Sequence, residues 1–258
     1  MRKPVLHWIK EGQGPVVVLS HALGCELSMW DGVAALLKDR YTVLRYDHRG
    51  HGQSEAVSGP YTIDMLADDA AGLISEQAAG PVHFVGLSMG GMTAQALAAR
   101  YPQLLKSITI ANAASWYDDA ARALWQARVD TVLAQGVAAI VDGALQRWFT
   151  PEFRADEAGA RRVAALRHRL EKIDAAAYAA SCEAVAAIDF RASNSRIQCP
   201  ALVIAGTRDE ATPVAMSEAI CRSIAGAQLR TLDAAHLSAV EQPAAFALLL
   251  ESFLESVQ

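Results

Sequence analysis

The chain has 258 residues, which is long enough for one large α/β core without a second independent domain. Hydrophobic residues account for 52% of it and charged residues for 20%, a balance that excludes both a disordered chain and a membrane-embedded one. The net charge of −5 at pH 7 excludes a basic footprint for nucleic acid.

The first predicted element is a strand at Val16–Leu19, a continuous apolar run typical of a strand buried on both faces of a parallel sheet. The segment before it has a charged start but no apolar signal-peptide core, and the run itself is too short to be one. We therefore expect a cytoplasmic protein with no membrane segment. In the following loop, Ser20–Gly24, we expect the ring of His21 to hydrogen-bond backbone and not substrate.

A helix and a second strand come next in the chain. The strand is predicted at Thr42–Tyr46, and a polar, glycine-punctuated loop follows at 47–54. His48 and His51 in that loop have too few neighbouring ligands for a metal site, so we expect the loop to be held by its own polar side chains. Helical spacing then predicts a helix between residues 61 and 78. The helix between the first two strands is indicated by four residues at helical spacing: Trp30, Val33, Leu36 and Leu37.

The stretch PVHFVGLSMGG, residues 81–91, holds the motif with the clearest chemical meaning. Its pentapeptide GLSMG fits the G-x-S-x-G pattern, in which small residues allow a sharp turn and Ser88 is held exposed in a strained conformation. An apolar run precedes the turn, and helical spacing follows from near Met92 to Pro102. We predict a strand, a nucleophile elbow and a helix; the alternative is a structural turn without reactivity.

Two backbone amides are predicted to form an oxyanion hole beside Ser88. Enzymes with this elbow use the N–H of the residue after the nucleophile and one from the loop after an earlier strand. Here those donors are the N–H groups of Met89 and Leu23.

The next predicted strand, Ile108–Ala111, ends at Asn112, so no carboxylate is available at a strand end that can supply a triad acid. The strand pattern then disappears until about residue 191, and alanine-rich helical spacing, as between Val129 and Ile140, predicts an inserted helical cap. We therefore divide the chain into an α/β core at 1–114 and 193–258 and a cap at 115–192.

Several cap side chains are candidates for lining a substrate pocket, although most residues of their type pack helices or face solvent. The candidates carried forward are two aromatic and two cationic residues: Trp125, Trp148, Arg128 and Arg147.

The strand pattern returns at 200–206, and Asp209 lies just past it, at the end where parallel sheets gather catalytic groups. Glu210 competes for the same role. After the last predicted strand, 229–232, the loop contains His236, and a closing helix is predicted from Ala244 to Val257. The chain order Ser88, Asp209, His236 is that of a Ser-Asp-His triad on this kind of sheet. Asp233 is interpreted as a loop-stabilising carboxylate.

The four cysteines are scattered, without a C-x-x-C pair or a neighbouring histidine set, so buried free thiols are expected. No motif implies a cofactor or a metal. The sequence leads to no prediction of the oligomeric state.

With these residues in place, the chain resembles the α/β-hydrolase superfamily over its whole length, and within it the 3-oxoadipate enol-lactonases. The elbow and the HGQS stretch are shared across the superfamily, whereas RWFT and SHALG with LSMW are more particular. The stretches that carry the resemblance are SHALGCELSMW (20–30), VLRYDHRGHGQS (43–54), GPYTI (59–63), GLSMGGM (86–92), RWFTPEF (147–153), ALVIAGTRDEATP (201–213) and LDAAHLSAVEQ (232–242).

The resemblance implies a mostly parallel central sheet flanked by helices, an inserted helical cap, and the catalytic triad Ser88, Asp209 and His236. It also implies hydrolysis of 3-oxoadipate enol-lactone to 3-oxoadipate in bacterial degradation of aromatic compounds. Because that lactone carries an acetate arm, an anionic small molecule is the expected partner, and Arg128 or Arg147 is the expected contact for the arm. Ala22 departs from the glycine that commonly follows the histidine.

Two alternatives remain open at this stage. One is a general carboxylesterase, or a hydrolase of another small lactone, with the same triad and a different cap pocket. The other is a ligand receptor that has kept the pocket without turnover, since fold alone does not dictate function.

Overall fold

The computed structural model describes residues 3–257. Seven strands form one sheet with the order β1-β3-β2-β4-β5-β6-β7. The strands are β1 (Trp8–Glu11), β2 (Val16–Ser20), β3 (Thr42–Tyr46), β4 (Val82–Leu87), β5 (Leu105–Ala111), β6 (Ala201–Gly206) and β7 (Gln228–Leu232).

All neighbouring strands from β3 to β7 run parallel, and only β1 pairs antiparallel, with β3. The expected mostly parallel sheet is thus confirmed. β1 was not predicted; its residues Trp8 and Ile9 are 39% and 38% exposed. An edge strand of four residues gains its backbone hydrogen bonds from β3 without burying an apolar face, so no periodic signal marks it.

Helices flank the sheet and follow its strands. α2 and α3 pack against each other and α3 lies against β4 and β5, whereas α1 packs on α11. The helices are α1 (Asp31–Leu37), α2 (Ile63–Gln77), α3 (Met89–Arg100), α4 (Asp119–Gln135), α5 (Val141–Trp148), α6 (Pro151–Ala155), α7 (Glu157–Leu170), α8 (Ala175–Ala186), α9 (Val214–Ser223), α10 (Ser238–Glu241) and α11 (Pro243–Ser256).

Helices α4 to α8 lie between β5 and β6 in the chain, within the range 115–192 predicted for the cap. The two ends of this insertion lie side by side, because Phe190 N donates to Ser115 O at 2.7 Å and Trp116 forms an antiparallel bridge with Asp189. Within the insertion α4 packs along α8. The division of the chain into a core and a cap stays a prediction.

Several predicted helix limits were wrong. α3 begins at Met89 and not near Met92. The predicted start was late because the first turn carries Gly90 and Gly91 and shows no apolar periodicity. The periodic stretch 129–140 is interrupted at Gly136, whose φ of 81° ends α4, and a 3-10 turn follows. The closing helix predicted from Ala244 to Val257 is confirmed as α11, which begins at Pro243, whereas the short α10 before it was not predicted.

The apolar residues assigned to helix faces are mostly buried, but Leu36 and Leu133 are 47% and 60% exposed. All four cysteines are free thiols; Cys25 and Cys182 are buried as expected, whereas Cys199 and Cys221 are only half-buried. Within residues 3–257, no helix combines the length and the apolar composition that crossing a bilayer requires.

Candidate active site

Ser88 occupies the turn between β4 and α3 with φ of 56° and ψ of −115°, a sparsely populated backbone region for a residue with a side chain. Glycines make this turn possible. A Cβ at Gly86 would lie 2.0 Å from the carbonyl oxygen of Gly90, and a Cβ at Gly90 would lie 2.1 Å from that of Ser20. The predicted elbow geometry is therefore present, and the Ser88 side chain lines a cavity.

Three side chains from three different loops form a continuous hydrogen-bonded chain. His236 Nε2 lies 3.0 Å from Ser88 Oγ, and His236 Nδ1 lies 2.9 Å from Asp209 Oδ2. Because a carboxylate only accepts, Nδ1 carries the proton and Nε2 is free to accept one from the serine hydroxyl. The structure thus brings together Ser88, Asp209 and His236 in the arrangement that nucleophilic catalysis requires.

The Asp209 carboxylate is surrounded by donors as well as buried. Its Oδ1 accepts the N–H groups of Ala211 and Thr212 at 2.8 and 2.9 Å, and its Oδ2 accepts Thr212 Oγ1 at 2.6 Å. Burial alone raises the pKa of this carboxyl, but the facing His236 and the hydrogen bonds from His236 and Thr212 outweigh burial and lower the pKa to about 2. Asp209 is therefore ionised at neutral pH.

Asn112, which follows β5, also contacts this carboxylate. Its Nδ2 donates to Asp209 Oδ2 at 2.9 Å, while its Oδ1 accepts Ser238 Oγ at 2.6 Å, which fixes the orientation of the amide. Asn112 has φ of 46°, a left-handed conformation that asparagine tolerates better than most residues. The sequence analysis noted only that no carboxylate stood here. The adjacency of β5 and β6 could have indicated that Asn112 meets the acid.

The loop after β2 presents Leu23 to the cavity. Gly24 N donates to His51 Nε2 at 3.2 Å and Cys25 N to Ala22 O at 3.1 Å, whereas the Leu23 N–H has no acceptor among residues 3–257. Burial lowers the pKa of His51 to about 3, so its ring stays neutral and its Nε2 remains an acceptor.

Met89 is the first residue of α3, so its N–H has no intrahelical acceptor and lies at the positive end of the helix dipole. The N–H groups of Met89 and Leu23 are therefore both available to a ligand, and their role as an oxyanion hole stays a prediction.

The histidines of the neighbouring loops are structural. As expected, His21 bonds backbone, with Nδ1 donating to Ala22 O at 2.8 Å and Nε2 accepting from His48 N at 2.9 Å. His48 Nε2 lies 2.8 Å from Ser20 Oγ. Asp47 fastens the loop by accepting the N–H of Gln53 at 2.9 Å. In the part of the chain that the structure describes, no cluster of three or more His, Cys, Asp or Glu side chains is arranged to hold a metal ion.

A cavity of about 230 Å³ opens above Ser88 and His236. All four cap candidates line it: Trp125, Arg128, Arg147 and Trp148. Tyr117 and Glu210 line it too and were not anticipated as pocket residues. Glu210, the alternative candidate for the triad acid, lies at the cavity wall, and His236 forms its hydrogen bond with Asp209 instead.

The two cavity arginines differ from several other cap arginines in having no carboxylate partner. Neither Arg128 nor Arg147 forms a salt bridge with a carboxylate of residues 3–257, whereas Arg167 pairs with two and Arg169 with one. Arg128 stacks on Trp125, with 4.9 Å from its guanidinium carbon to the ring centroid. Partial desolvation, and next the positive charge of Arg128, lower the pKa of Arg147. Two arginines without a salt bridge, against the single acidic side chain of Glu210 in the same lining, favour an anionic ligand.

Comparisons with known proteins agree with this architecture. The family model described as "alpha/beta hydrolase fold" matches residues 15–243. The chain is 40% identical over 241 residues to 3-oxoadipate enol-lactonase 2 of Acinetobacter baylyi, covering 93% of this chain and 89% of the relative.

Solved structures show the same likeness. The enol-lactonase from Burkholderia xenovorans LB400 superposes with a TM-score of 0.93 at 38% identity, covering 98% of this chain and 97% of that one. A malate-bound thermophilic esterase from Thermogutta terrifontis superposes with a TM-score of 0.92 at 26% identity, covering 98% and 94%. The resemblance drawn from the sequence motifs is thereby confirmed.

Proposed function

The chain belongs to the α/β-hydrolase fold family, and from this premise we propose that it opens 3-oxoadipate enol-lactone to 3-oxoadipate. It is a carboxylic ester hydrolase of the enol-lactonase type, as its relatives are. The observation that carries the narrower proposal is the pair of unpaired arginines, Arg128 and Arg147, in the cavity above Ser88. An enol-lactone with an acetate arm supplies a carbonyl for Ser88 to attack and a carboxylate that can pair with these arginines.

The proposed reaction begins with Ser88. Its Oγ attacks the lactone carbonyl carbon while His236 Nε2 takes the hydroxyl proton, and Asp209 stabilises the imidazolium that forms. The carbonyl oxygen becomes an oxyanion, which accepts hydrogen bonds from the Leu23 and Met89 amides. One such donor contributes about 3 kcal/mol to the transition state.

Collapse of the tetrahedral intermediate breaks the ring C–O bond, and the enol oxygen leaves with the proton held by His236. An enol is a better leaving group than an alkoxide, and it ketonises while remaining attached to the acyl chain on Ser88. His236 then removes a proton from water, which attacks the acyl carbon; the bond to Ser88 Oγ breaks, His236 returns the proton to Oγ, and 3-oxoadipate is released. The carboxylate arm is retained throughout, so the same arginine contact can hold the substrate and the acyl-enzyme. This reaction places the enzyme in bacterial degradation of aromatic compounds.

The proposal is tested by the rate at which purified protein consumes 3-oxoadipate enol-lactone compared with 4-nitrophenyl acetate. We expect kcat/KM for the lactone to exceed that for the ester, because only the lactone engages both the triad and the arginines. Higher kcat/KM for short aryl esters, with little lactone turnover, would instead favour a general carboxylesterase, the alternative that the apolar wall of Trp125 and Trp148 allows. Binding of the lactone without turnover would contradict both.

Replacing the cavity arginines separates anion recognition from chemistry. In Arg128→Met and Arg147→Met we expect KM for the anionic lactone to rise about tenfold or more, since a charge-assisted contact contributes roughly 1.5–3 kcal/mol. The kcat for neutral 4-nitrophenyl acetate should stay within about twofold. Steady-state kinetics with both substrates checks this.

Arg161→Met is the matched control, because Arg161 is an exposed cap arginine that pairs only with Glu157 one helical turn away. Its KM for the lactone should equal that of the wild type. If KM is also unchanged in Arg128→Met or in Arg147→Met, the arginine in question does not bind the arm.

A further inference from the structure

Glu241, at the end of α10, lies between the catalytic loop and the cap. Its Oε2 accepts the N–H of Ala235, the residue before His236, at 2.8 Å. Its Oε1 accepts the N–H of Thr150 at 3.2 Å and also the Thr150 hydroxyl. One carboxylate therefore holds three donors, one from the His236 loop and two from the cap.

Thr150, the cap residue that contacts this carboxylate, is close in sequence to two residues of the cavity wall. Thr150 is buried and follows Arg147 and Trp148, both of which line the cavity. Thr150 also caps α6, since its hydroxyl accepts Phe153 N at 3.3 Å. A second contact reinforces the same junction, because Leu237 N, just after His236, donates to Trp148 O at 3.0 Å.

Other contacts hold the opposite side of the His236 loop. Asn112 Nδ2 lies 3.4 Å from Ala235 O, and Ser238 Oγ donates to Asn112 Oδ1. The loop backbone is thus held from the sheet by Asn112 and from the cap by Glu241. Two contacts link the loop to the segment that carries the pocket arginine, the backbone bond from Leu237 N to Trp148 O and the Glu241 carboxylate, and Glu241 is the one made by a side chain.

We propose that Glu241 is a positioning residue that couples the cap wall to the catalytic histidine. Its carboxylate binds the Ala235 amide and the Thr150 segment at once. It thereby fixes the position of His236, beside Ser88, relative to Arg147 and Trp148. Substrate held by that wall is then aligned with the base, and misalignment of about 1 Å at such a site costs roughly 100-fold in rate. The inference rests on the proposed roles of His236 and Arg147.

Glu241→Gln tests the coupling with little change of shape. A glutamine has one acceptor oxygen and one donor amide, so whichever end bears the NH₂ group faces an N–H that needs an acceptor. We expect kcat to fall about tenfold for neutral 4-nitrophenyl acetate and for the anionic mono-4-nitrophenyl succinate. KM should rise for the anionic ester alone, because the arginine segment loses one of its two contacts with the His236 loop.

Thr150→Val removes the hydroxyl bond to Glu241 and with it the cap bond from Phe153 N, but leaves the Thr150 N–H on the carboxylate, and Thr150→Ser is its matched control because it keeps the hydroxyl for both bonds. We expect Thr150→Val to raise KM for the anionic ester several-fold, about the loss of one hydrogen bond to a charged acceptor, with kcat for the neutral ester nearly unchanged. In the double variant with Glu241→Gln, the two KM effects should be less than additive, as expected for groups in one contact.

Active-site titration by the 4-nitrophenol burst normalises every rate to the folded, reactive fraction. The inference is overturned if Glu241→Gln, so normalised, keeps kcat within twofold for both esters, since only stability is then affected. Fully additive KM effects in the double variant also overturn it. Both readouts use aryl esters, so failure of the lactone assay would discard the proposed substrate and leave this test intact.

Discussion

Replacement of Ser88 by alanine is expected to lower kcat for the lactone and for 4-nitrophenyl acetate by roughly 10⁶-fold, the scale found when a triad nucleophile is removed. The reason is that Ser88 Oγ is the atom that lies 3.0 Å from His236 Nε2 and at the floor of the cavity. Without it no acyl-enzyme forms. Stopped-flow measurement of the 4-nitrophenol burst, together with steady-state rates, checks the result.

The variant should fold normally, because alanine and serine face the same strain at φ of 56°. Thermal unfolding should therefore occur within a few degrees of the wild-type temperature. Ser195→Ala, which alters an exposed serine bonded only to the backbone of Ala192, should retain full activity. A Ser88→Ala protein that is folded and still shows a burst would exclude Ser88 as the nucleophile.

Asp209→Asn should lower kcat by about 10⁴-fold, the effect of this change in a serine protease triad. The amide NH₂ of asparagine can donate to His236 Nδ1, which favours the tautomer with the proton on Nε2. That tautomer cannot accept the proton of Ser88. The loss should appear in kcat for both the lactone and the neutral ester, with KM changed much less, because Asp209 lies behind the histidine.

Asp233→Asn is the control for the same chemical change nearby. Asp233 is exposed and lies three residues before His236, with its carboxylate 3.4 Å from Thr207 Oγ1. Its kcat should stay within about twofold of the wild type, as is usual for surface substitutions. Equal losses of kcat in the two variants would mean that the effect comes from removing negative charge near His236 and not from the hydrogen bond to Nδ1.

The placement of Ser88, Asp209 and His236 could be predicted from the sequence because each signal is local. The glycines at 86 and 90 specify the turn, and short local patterns predict β4, β6 and β7, which lie in one half of the sheet with β5 between β4 and β6. In a parallel sheet, all residues that follow the strands emerge at one edge. Strand identity and chain order were therefore enough to bring three distant residues together.

Contacts set by tertiary packing could not be predicted in this way. Asn112 was discounted for lacking a charge, although its amide is positioned by Ser238 from the other end of the chain. The link from Glu241 to Thr150 joins residues 91 positions apart on separate helical segments, and neither shows any unusual local pattern. β1 was missed because its stability comes from pairing with β3 and not from burial.

The cap arginines show an intermediate case. The acetate arm of the expected lactone suggested an arginine contact, but helical spacing could not say which arginines face inward, because α4 buries only Val129 and Val132 and leaves Leu124 and Leu133 exposed. Only the packing of α4 along α8 turns Arg128 and Trp125 toward Ser88. Their place in the cavity lining, together with the absence of a salt bridge to either of them among residues 3–257, distinguishes Arg128 and Arg147 from the other cap arginines.

The close approach of Ser115 and Phe190 bears on how such enzymes diversify. Since the insertion leaves and rejoins the sheet through adjacent backbone, a recombination event can exchange the whole segment as a cassette without altering the spacing of β5 and β6. A donor cassette would still have to supply a hydroxyl where Thr150 meets Glu241 and a carbonyl where Trp148 meets Leu237. Compatibility at these few positions, more than overall similarity, should decide which chimeras are active.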